Sequence, residues 1–335
     1  MAFVIPIFIT HEGCPHQCLF CNQQSITGEN RQTGVERETV TEIIRQWLAW
    51  STGKKRVQVA FYGGSYSCLP EERQQELLEA VAPYLATGEV DTVRISTRPD
   101  CISDKDCERL YDHGVRTVEL GCQSMDDTVL EITRRGHSVK QSVIAAEILR
   151  ERGMELGVQM MVGLPGETTR SFFLGVRKVI NMQPDFVRLY PALVVEKTQM
   201  AGMYDCGEYM PLSMNQAVAL TCRAYDTFLQ AGIKVIRMGL QPSESLEATV
   251  AAGPYHPSFG ELVMARSWFK RARTVLSDCP SGKTATIVIS DRDLSAFIGQ
   301  KRINMERFEQ LGLLKRLNLI TETKMERGTL RYAFS

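Results

Sequence analysis

Net charge is the first thing this chain lacks: 39 Lys and Arg balance 39 Asp and Glu over 335 residues. Nothing global draws it to nucleic acid or a membrane, so any polyanion site has to be a local patch. The apolar opening, Met1 to Ile9, lacks a basic leader and is too short to cross a bilayer, so it reads as a buried strand. No internal repeat or low-complexity tract is visible. The three cysteines near the start have no fourth cysteine close by. The other seven, Cys68, Cys101, Cys107, Cys122, Cys206, Cys222 and Cys279, are scattered. In a chain this large they read as reduced thiols of a cytoplasmic protein, each a small buried residue. With 44% hydrophobic residues, the chain can build one large core and a small appended unit.

What is present at the start is Cys14-Pro-His-Gln-Cys18-Leu-Phe-Cys21, a C-x3-C-x2-C pattern. Thiolates so spaced can converge on one inorganic centre. A structural zinc site takes four ligands, and a cubane cluster held by four cysteines is also closed. Three sulfurs would leave one iron open to bind and activate something else. Zinc, with His16 or His11 as fourth ligand, is the alternative, and it leaves the rest of the pattern unexplained.

Short apolar runs alternate with amphipathic stretches. The strands expected are Val4–Thr10, Val57–Tyr62, Thr92–Ser96, Thr117–Cys122, Leu156–Val162 and Phe186–Tyr190. The helices between them are Arg37–Trp50, Pro70–Ala86, Lys105–His113, Val139–Arg152 and Thr168–Met182. Six βα units in a row predict an α/β fold, a partial (β/α)6 TIM-like barrel with its site at the carboxyl ends of the strands. A long connection, Pro191–Leu212, precedes a helix at Asn215–Ala231 and a strand at Lys234–Met238. A helical connection over 246–280 then leads to a small α+β unit over 281–335.

The unusual residues fall at the expected strand ends. Gly63-Gly64-Ser65 follows the second strand, where glycines let a backbone approach a ligand closely. Ser96-Thr-Arg-Pro-Asp100 follows the third, Glu119-Leu-Gly-Cys-Gln-Ser124 the fourth, and Gly163-Leu-Pro-Gly-Glu167 the fifth. One polar strand end means little; five in succession, counting the cysteine loop after the first strand, point to a ligand lying across the mouth. Glu119 reads as structural and Met160-Met161 as core packing. His137 reads equally well as a site residue or as part of a turn.

With these motifs, residues 4–245 resemble the radical S-adenosylmethionine (SAM) superfamily, and within it the radical SAM part of the Elongator catalytic subunit. Ser96-Thr-Arg-Pro-Asp100, Val118 to Ser124, Arg135-Gly-His137 and Leu189 to Val194 carry the closer likeness. A weaker one to oxygen-independent coproporphyrinogen oxidase runs through Gly-Gly, Gln123 and Gly-Leu-Pro-Gly. The resemblance implies that Cys14, Cys18 and Cys21 hold a [4Fe–4S] cluster whose open iron is chelated by SAM. It implies that Gly63, Gly64 and Ser65 meet the methionine end, that Gln123 and Arg135 contact SAM, and that Gln159 contacts the ribose. Thr97 stands where the family's ribose-binding carboxylate is expected and lacks the charge. The chemistry implied is reductive cleavage of SAM to methionine and a 5′-deoxyadenosyl radical, fed by an external donor such as flavodoxin or ferredoxin.

The last fifty residues have a β-α-α-β order resembling a KH-type RNA-binding core. Gly299-Gln300-Lys301-Arg302 stands at the Gly-x-x-Gly loop with its second glycine missing. The sequence shows no acetyltransferase pattern after the barrel. The expectation is an enzyme acting on RNA, tRNA in particular, with no membrane or DNA partner. The alternatives are a radical SAM enzyme of a small metabolite or tetrapyrrole, and a non-catalytic iron–sulfur or zinc RNA-binding module.

Overall fold

The protein is described from a computed structural model, which covers residues 2–22, 35–50, 53 and 56–335. Seven strands form one parallel sheet: β1 (Phe3–Phe8), β2 (Val57–Tyr62), β3 (Thr92–Thr97), β4 (Val115–Gln123), β5 (Glu155–Val162), β6 (Phe186–Pro191) and β8 (Lys234–Met238). Each strand pairs with the next, and β8 docks on β6. Residues of β1 (Val4, Pro6, Phe8) and of β6 and β8 (Arg188, Tyr190, Arg237) wall the same cleft. The sheet therefore curls into a half-barrel, open between β1 and β8. The expected six βα units are present, and the strand expected at Lys234–Met238 becomes the seventh member.

Helices cover the convex face: α1 (Arg37–Ala49), α2 (Glu71–Thr87), α3 (Asp104–Asp112), α4 (Asp127–Ile132), α5 (Val139–Glu151) and α6 (Thr169–Asn181). The outward residues of the strands, among them Ile5, Val59, Phe61, Ile95, Val118, Leu120, Val158 and Leu189, pack under them in one fully buried core. Residues buried on both faces read as near-continuous apolar runs, which is why these strands were legible. Helix starts are fixed locally. Ser138 and Thr168 close reciprocal capping boxes with Gln141 and Ser171, contributing about 1 kcal/mol each.

Between β6 and β8 lie β7 (Val194–Val195), α7 (Gln199–Asp205) and α8 (Met214–Gln230). After β8 come α9 (Glu244–Thr249) and β9 (Val250–Ala252), which pairs antiparallel with β7. The long α10 (Phe259–Asp278) packs on α8 and also joins the core of the C-terminal unit: Trp268 and Leu276 share a cluster with Ile287, Phe297 and Phe308. That unit runs β10 (Ala285–Ser290), α11 (Leu294–Ile298), α12 (Ile303–Gln310) and β11 (Leu317–Glu322). This is the β-α-α-β order expected. A further strand, β12 (Leu330–Phe334), pairs antiparallel with β10 on the side away from β11.

Two cysteine expectations are corrected. Cys68 and Cys101 form a disulfide across 33 residues, with their α-carbons 5.2 Å apart. Because β2 and β3 are sheet neighbours, the turns leaving their carboxyl ends meet, and that adjacency cannot be seen in linear spacing. Cys206 is exposed, whereas Cys107, Cys122, Cys222 and Cys279 are buried as expected.

Candidate functional site

The carboxyl ends of the parallel strands open into a cleft of about 960 Å³. All three cysteines of the first loop line it, with Gly63, Gly64, Ser65, Thr97, Gln123, Arg135 and Gln159. Every barrel residue expected at the site is thus on one surface. The Gly299–Arg302 loop lies outside this cleft.

The cysteine loop is seated by glycines. A Cβ on Gly13 would lie 2.3 Å from the Ser65 carbonyl oxygen, and one on Gly64 would lie 2.5 Å from the carbonyl oxygens of both Glu12 and Ile9. Only bare backbone allows the loop and the Gly-Gly turn to come this close. Ser65 N–H donates to the Glu12 carbonyl at 2.9 Å, and the Cys14 Sγ lies 3.7 Å from Ser65 Oγ. Glu12 in turn accepts from Arg73 Nε at 3.0 Å and from Val35 N–H at 3.2 Å. Further along, Leu19 N–H donates to Thr133 O at 3.1 Å, and Leu19 O accepts from Met200 N–H at 3.0 Å.

Arg135 reaches the same loop from the turn between α4 and α5. Its Nη1 donates to Cys18 Sγ at 3.1 Å and its Nη2 to Gly121 O at 2.6 Å, while its buried Nε has no partner among the described residues. Arg98, held by Asp100 at 2.9 Å, donates to the Arg135 carbonyl. Gly136, at φ +69°, packs on the His16 ring: a Cβ there would lie 2.3 Å from His16 Nε2. His16 is therefore packed against the arginine turn. His137 does not line the cleft; burial, and then Arg135, push its imidazole down to about 3, so it is neutral.

Thr97 lines the cleft, but its hydroxyl lies 2.6 Å from Ser67 Oγ and accepts from Ser67 N–H at 3.2 Å. Gln159 Nε2 donates to Glu119 Oε2 at 3.0 Å and to Ser96 Oγ at 3.3 Å. Gln123 has a left-handed backbone, φ 63°, at the end of β4. Among the described residues, no group of three His, Cys, Asp or Glu side chains is drawn together to metal-ligand spacing. The three thiols share a wall of one cleft.

Behind that wall lies a buried ionic network that the sequence did not reveal. Glu119, fully buried, pairs with Arg188 at 2.8 Å and Arg94 at 3.1 Å, and accepts from Tyr62 at 3.3 Å. Burial, and then the Glu119 charge, raise the Tyr62 hydroxyl above its ordinary value. The signal was the two-residue alternation that sends Arg94 and Ser96, Glu119 and Gly121, Gln159 and Met161, and Arg188 and Tyr190 to one face of their strands. Of the partners of Glu119, Tyr62, Gln159 and Arg188 line the cleft and Arg94 does not.

A curled parallel α/β half-barrel with a three-cysteine loop at its mouth defines a class of cofactor-dependent enzyme. The profile described as the radical SAM superfamily matches residues 8–172, and that of the Radical_SAM C-terminal domain matches residues 184–271. The chain belongs to the radical SAM superfamily and is a radical SAM enzyme.

It is 29% identical over 229 residues to an uncharacterized protein of Methanocaldococcus jannaschii, covering 66% of this chain and 70% of the other. It is 26% identical over 299 residues to a tRNA uridine(34) acetyltransferase of Methanocaldococcus infernus, covering 78% of this chain and 55% of the other. The chain thus spans about half the length of that acetyltransferase. Among solved structures, the archaeal Elp3 of Methanocaldococcus infernus superposes with a TM-score of 0.64 at 20% identity, over 81% of this chain and 63% of the other. That likeness is one of fold. Among the described residues, no helix is long and apolar enough to cross a membrane.

Proposed function

We propose that this chain cleaves SAM reductively at a [4Fe–4S] cluster held by Cys14, Cys18 and Cys21 and that it modifies RNA, tRNA in particular. The observation that carries the first half is that the three thiols, the Gly63-Gly64 turn and Arg135 line one cleft, with Arg135 donating to Cys18. When bound, the cluster supplies an electron to the SAM sulfonium, giving methionine and a 5′-deoxyadenosyl radical that takes hydrogen from substrate.

The chain's own residues bind and orient. The donor chemistry suits the cluster: three thiols on one cleft wall, and a guanidinium donating to one of them, which favours its thiolate form. The unpaired Arg135 Nε is the donor left for a carboxylate, and the bare backbone of Gly63, Gly64 and Ser65 leaves room for the methionine end. Gln123 and Gln159 offer amides toward the rest of SAM, while Thr97, engaged by Ser67, offers little. An external flavodoxin or ferredoxin supplies the electron.

RNA as substrate is supported by the relatives named tRNA uridine(34) acetyltransferases. It is also supported by the Gly299-Gln300-Lys301-Arg302 turn, in which Gln300, Lys301 and Arg302 are exposed and Lys301 and Arg302 have left-handed backbones (φ 49° and 62°). The Arg302 N–H is committed to Gly299 O at 3.0 Å, so the side chains of Lys301 and Arg302 are what the turn offers a phosphate. In this reading residues 1–245 are the catalytic core, 246–280 the connection and 281–335 the RNA-holding unit.

The test is nucleoside mass spectrometry of digested tRNA from cells with and without the gene. A modified nucleoside lost with the gene and restored by the intact chain, but not by Cys14→Ala, supports the proposal. An unchanged nucleoside profile sinks the RNA half. Cleavage of SAM that persists when Cys14, Cys18 and Cys21 are all replaced by Ala sinks the first half.

A further inference from the structure

The cleft wall is one-sided in charge. Among the described residues it carries four arginines, Arg98, Arg135, Arg188 and Arg237, and no Asp or Glu. Three of the four have an anionic or thiol partner within the protein. Arg98 is held by Asp100, and Arg135 donates to Cys18 Sγ. Arg188 pairs with Glu119, but Glu119 also serves Arg94, so one carboxylate stands against two guanidiniums. Arg237 has no carboxylate within 4 Å among the described residues; its partners are the neutral acceptors Gly239 O, at 3.2 Å, and Gln241 Oε1.

The two under-neutralised cations are neighbours. In the β6–β8 pairing Arg188 and Arg237 are direct register partners, and both line the cleft. Like charges opposite each other on paired strands repel, and a low-dielectric cleft strengthens the repulsion. Glu119 offsets part of it on the Arg188 side, while on the Arg237 side only neutral acceptors do. Tyr190, two residues after Arg188, lines the cleft too, with its hydroxyl 3.4 Å from Arg188 Nη1. Arg188 commits its Nε and Nη2 to Glu119, at 2.8 and 2.9 Å, and Arg237 commits its Nε and Nη2 to Gly239 O and Gln241 Oε1. The two Nη1 groups, with the Tyr190 phenol beside that of Arg188, are therefore the donors the pair can offer an oxyanion. The pair sits on the last two strands of the sheet, whereas Gly63-Gly64 and Gln123 stand at the ends of β2 and β4.

We propose that Arg188 and Arg237, with Tyr190 beside them, form a subsite that binds a phosphate or carboxylate group of the substrate and so orients it toward the cysteine loop. The subsite deepens, and rests on, the reading of this cleft as the place where SAM and substrate meet. It makes the substrate an anion at a fixed distance from its reacting carbon. In an RNA that anion is a nucleotide phosphate; in a small metabolite it is a carboxylate.

The test is anaerobic calorimetry on the cluster-reconstituted, full-length enzyme with SAM present, using uridine 5′-monophosphate, uridine and succinate as probes. The expected result is that one of the two anions binds and uridine does not. Arg237→Gln should weaken that anion at least tenfold, and Arg237→Lys should weaken it less. SAM affinity should stay within about twofold, reporting that each variant is folded. Binding of uridine 5′-monophosphate alone places the substrate among nucleotides; binding of succinate alone places it among small acids and turns against the RNA reading while keeping the subsite. Three results would overturn the subsite: anion binding unchanged in Arg237→Gln, uridine binding as tightly as its phosphate, or SAM affinity falling as far as anion affinity. A wild-type enzyme that binds the anion through Arg237 yet never cleaves SAM would overturn the proposed function and leave the subsite standing.

Discussion

Arg135 reaches back 117 residues in sequence to the Cys18 sulfur, to which its Nη1 donates at 3.1 Å, while its Nη2 donates to the Gly121 carbonyl at 2.6 Å. One side chain thereby ties the cysteine loop after β1 to the end of β4. A charge-assisted hydrogen bond of this kind contributes about 1.5–3 kcal/mol, and cutting it leaves the Gly121 carbonyl unsatisfied. Arg135→Gln should therefore weaken SAM binding by roughly ten- to a hundredfold and lower the iron retained after gel filtration, measured by calorimetry and by iron analysis. Arg135→Lys, which keeps the charge and loses the fork, should fall between. Wild-type iron content and SAM affinity in Arg135→Gln would remove this residue from the site.

Gly64 supplies a test of the close approach. Its added Cβ would meet two carbonyl oxygens at 2.5 Å, and backbone atoms cannot swing aside as a side chain does. Gly64→Ala should cost about 1–3 kcal/mol in urea unfolding and should also lose iron, because the loop it displaces carries the cysteines. Gly202 in α7 is the contrasting position, with open space where its Cβ would go. Gly202→Ala should be neutral or stabilising by up to about 1 kcal/mol. Equal effects at the two glycines would show that the contact between Gly64 and residues 9–12 does not matter.

Glu167 makes the pH dependence of stability specific. Burial pushes its carboxyl up to about 8, against the Gly163 N–H that donates to it at 2.7 Å. The folded state thus holds the proton more tightly than the unfolded chain, whose carboxyl titrates near 4.5. The stability this confers is complete below about pH 4.5 and is lost as pH rises through about 8. Urea midpoints should fall between those values in the wild type, and Glu167→Gln should flatten that part of the profile. Identical profiles for the two proteins would show that Glu167 carries no such proton.

What was legible in the sequence follows from what each feature depends on. Strand β2 lies where expected, at Val57–Tyr62, and α2 and α5 lie within a residue of expectation, because burial on both faces or on one stripe leaves a local periodic trace. The glycines and cysteines of the cleft were legible because their spacing is local as well. Arg188 and Arg237 were not. They lie in the expected strands Phe186–Tyr190 and Lys234–Met238, almost fifty residues apart, and only the β6–β8 register sets the two arginines side by side. The Ser67–Thr97 bond that occupies the Thr97 hydroxyl likewise depends on two turns meeting in space.

The Cys68–Cys101 pair rests on the same kind of meeting and gives the last test. The chain has ten cysteines, and eight lie outside the disulfide. Before any iron is added, the unfolded, unreduced chain should titrate eight thiols, and ten after reduction. The bond closes a segment with a sequence separation of 33, and a loop of this length restricts the unfolded chain by about 3–4 kcal/mol. Cys68→Ser with Cys101→Ser should lower stability by up to that amount. The bond joins the turns that present Ser65 and Thr97, so its loss should also be felt in the cleft. SAM affinity should fall in the double variant and in the reduced wild type alike, while Cys107→Ser, remote from the cleft, should leave SAM affinity unchanged. Ten thiols in the unreduced chain would refute the pairing. Eight thiols, with SAM affinity untouched by reduction, would confine the bond to stability.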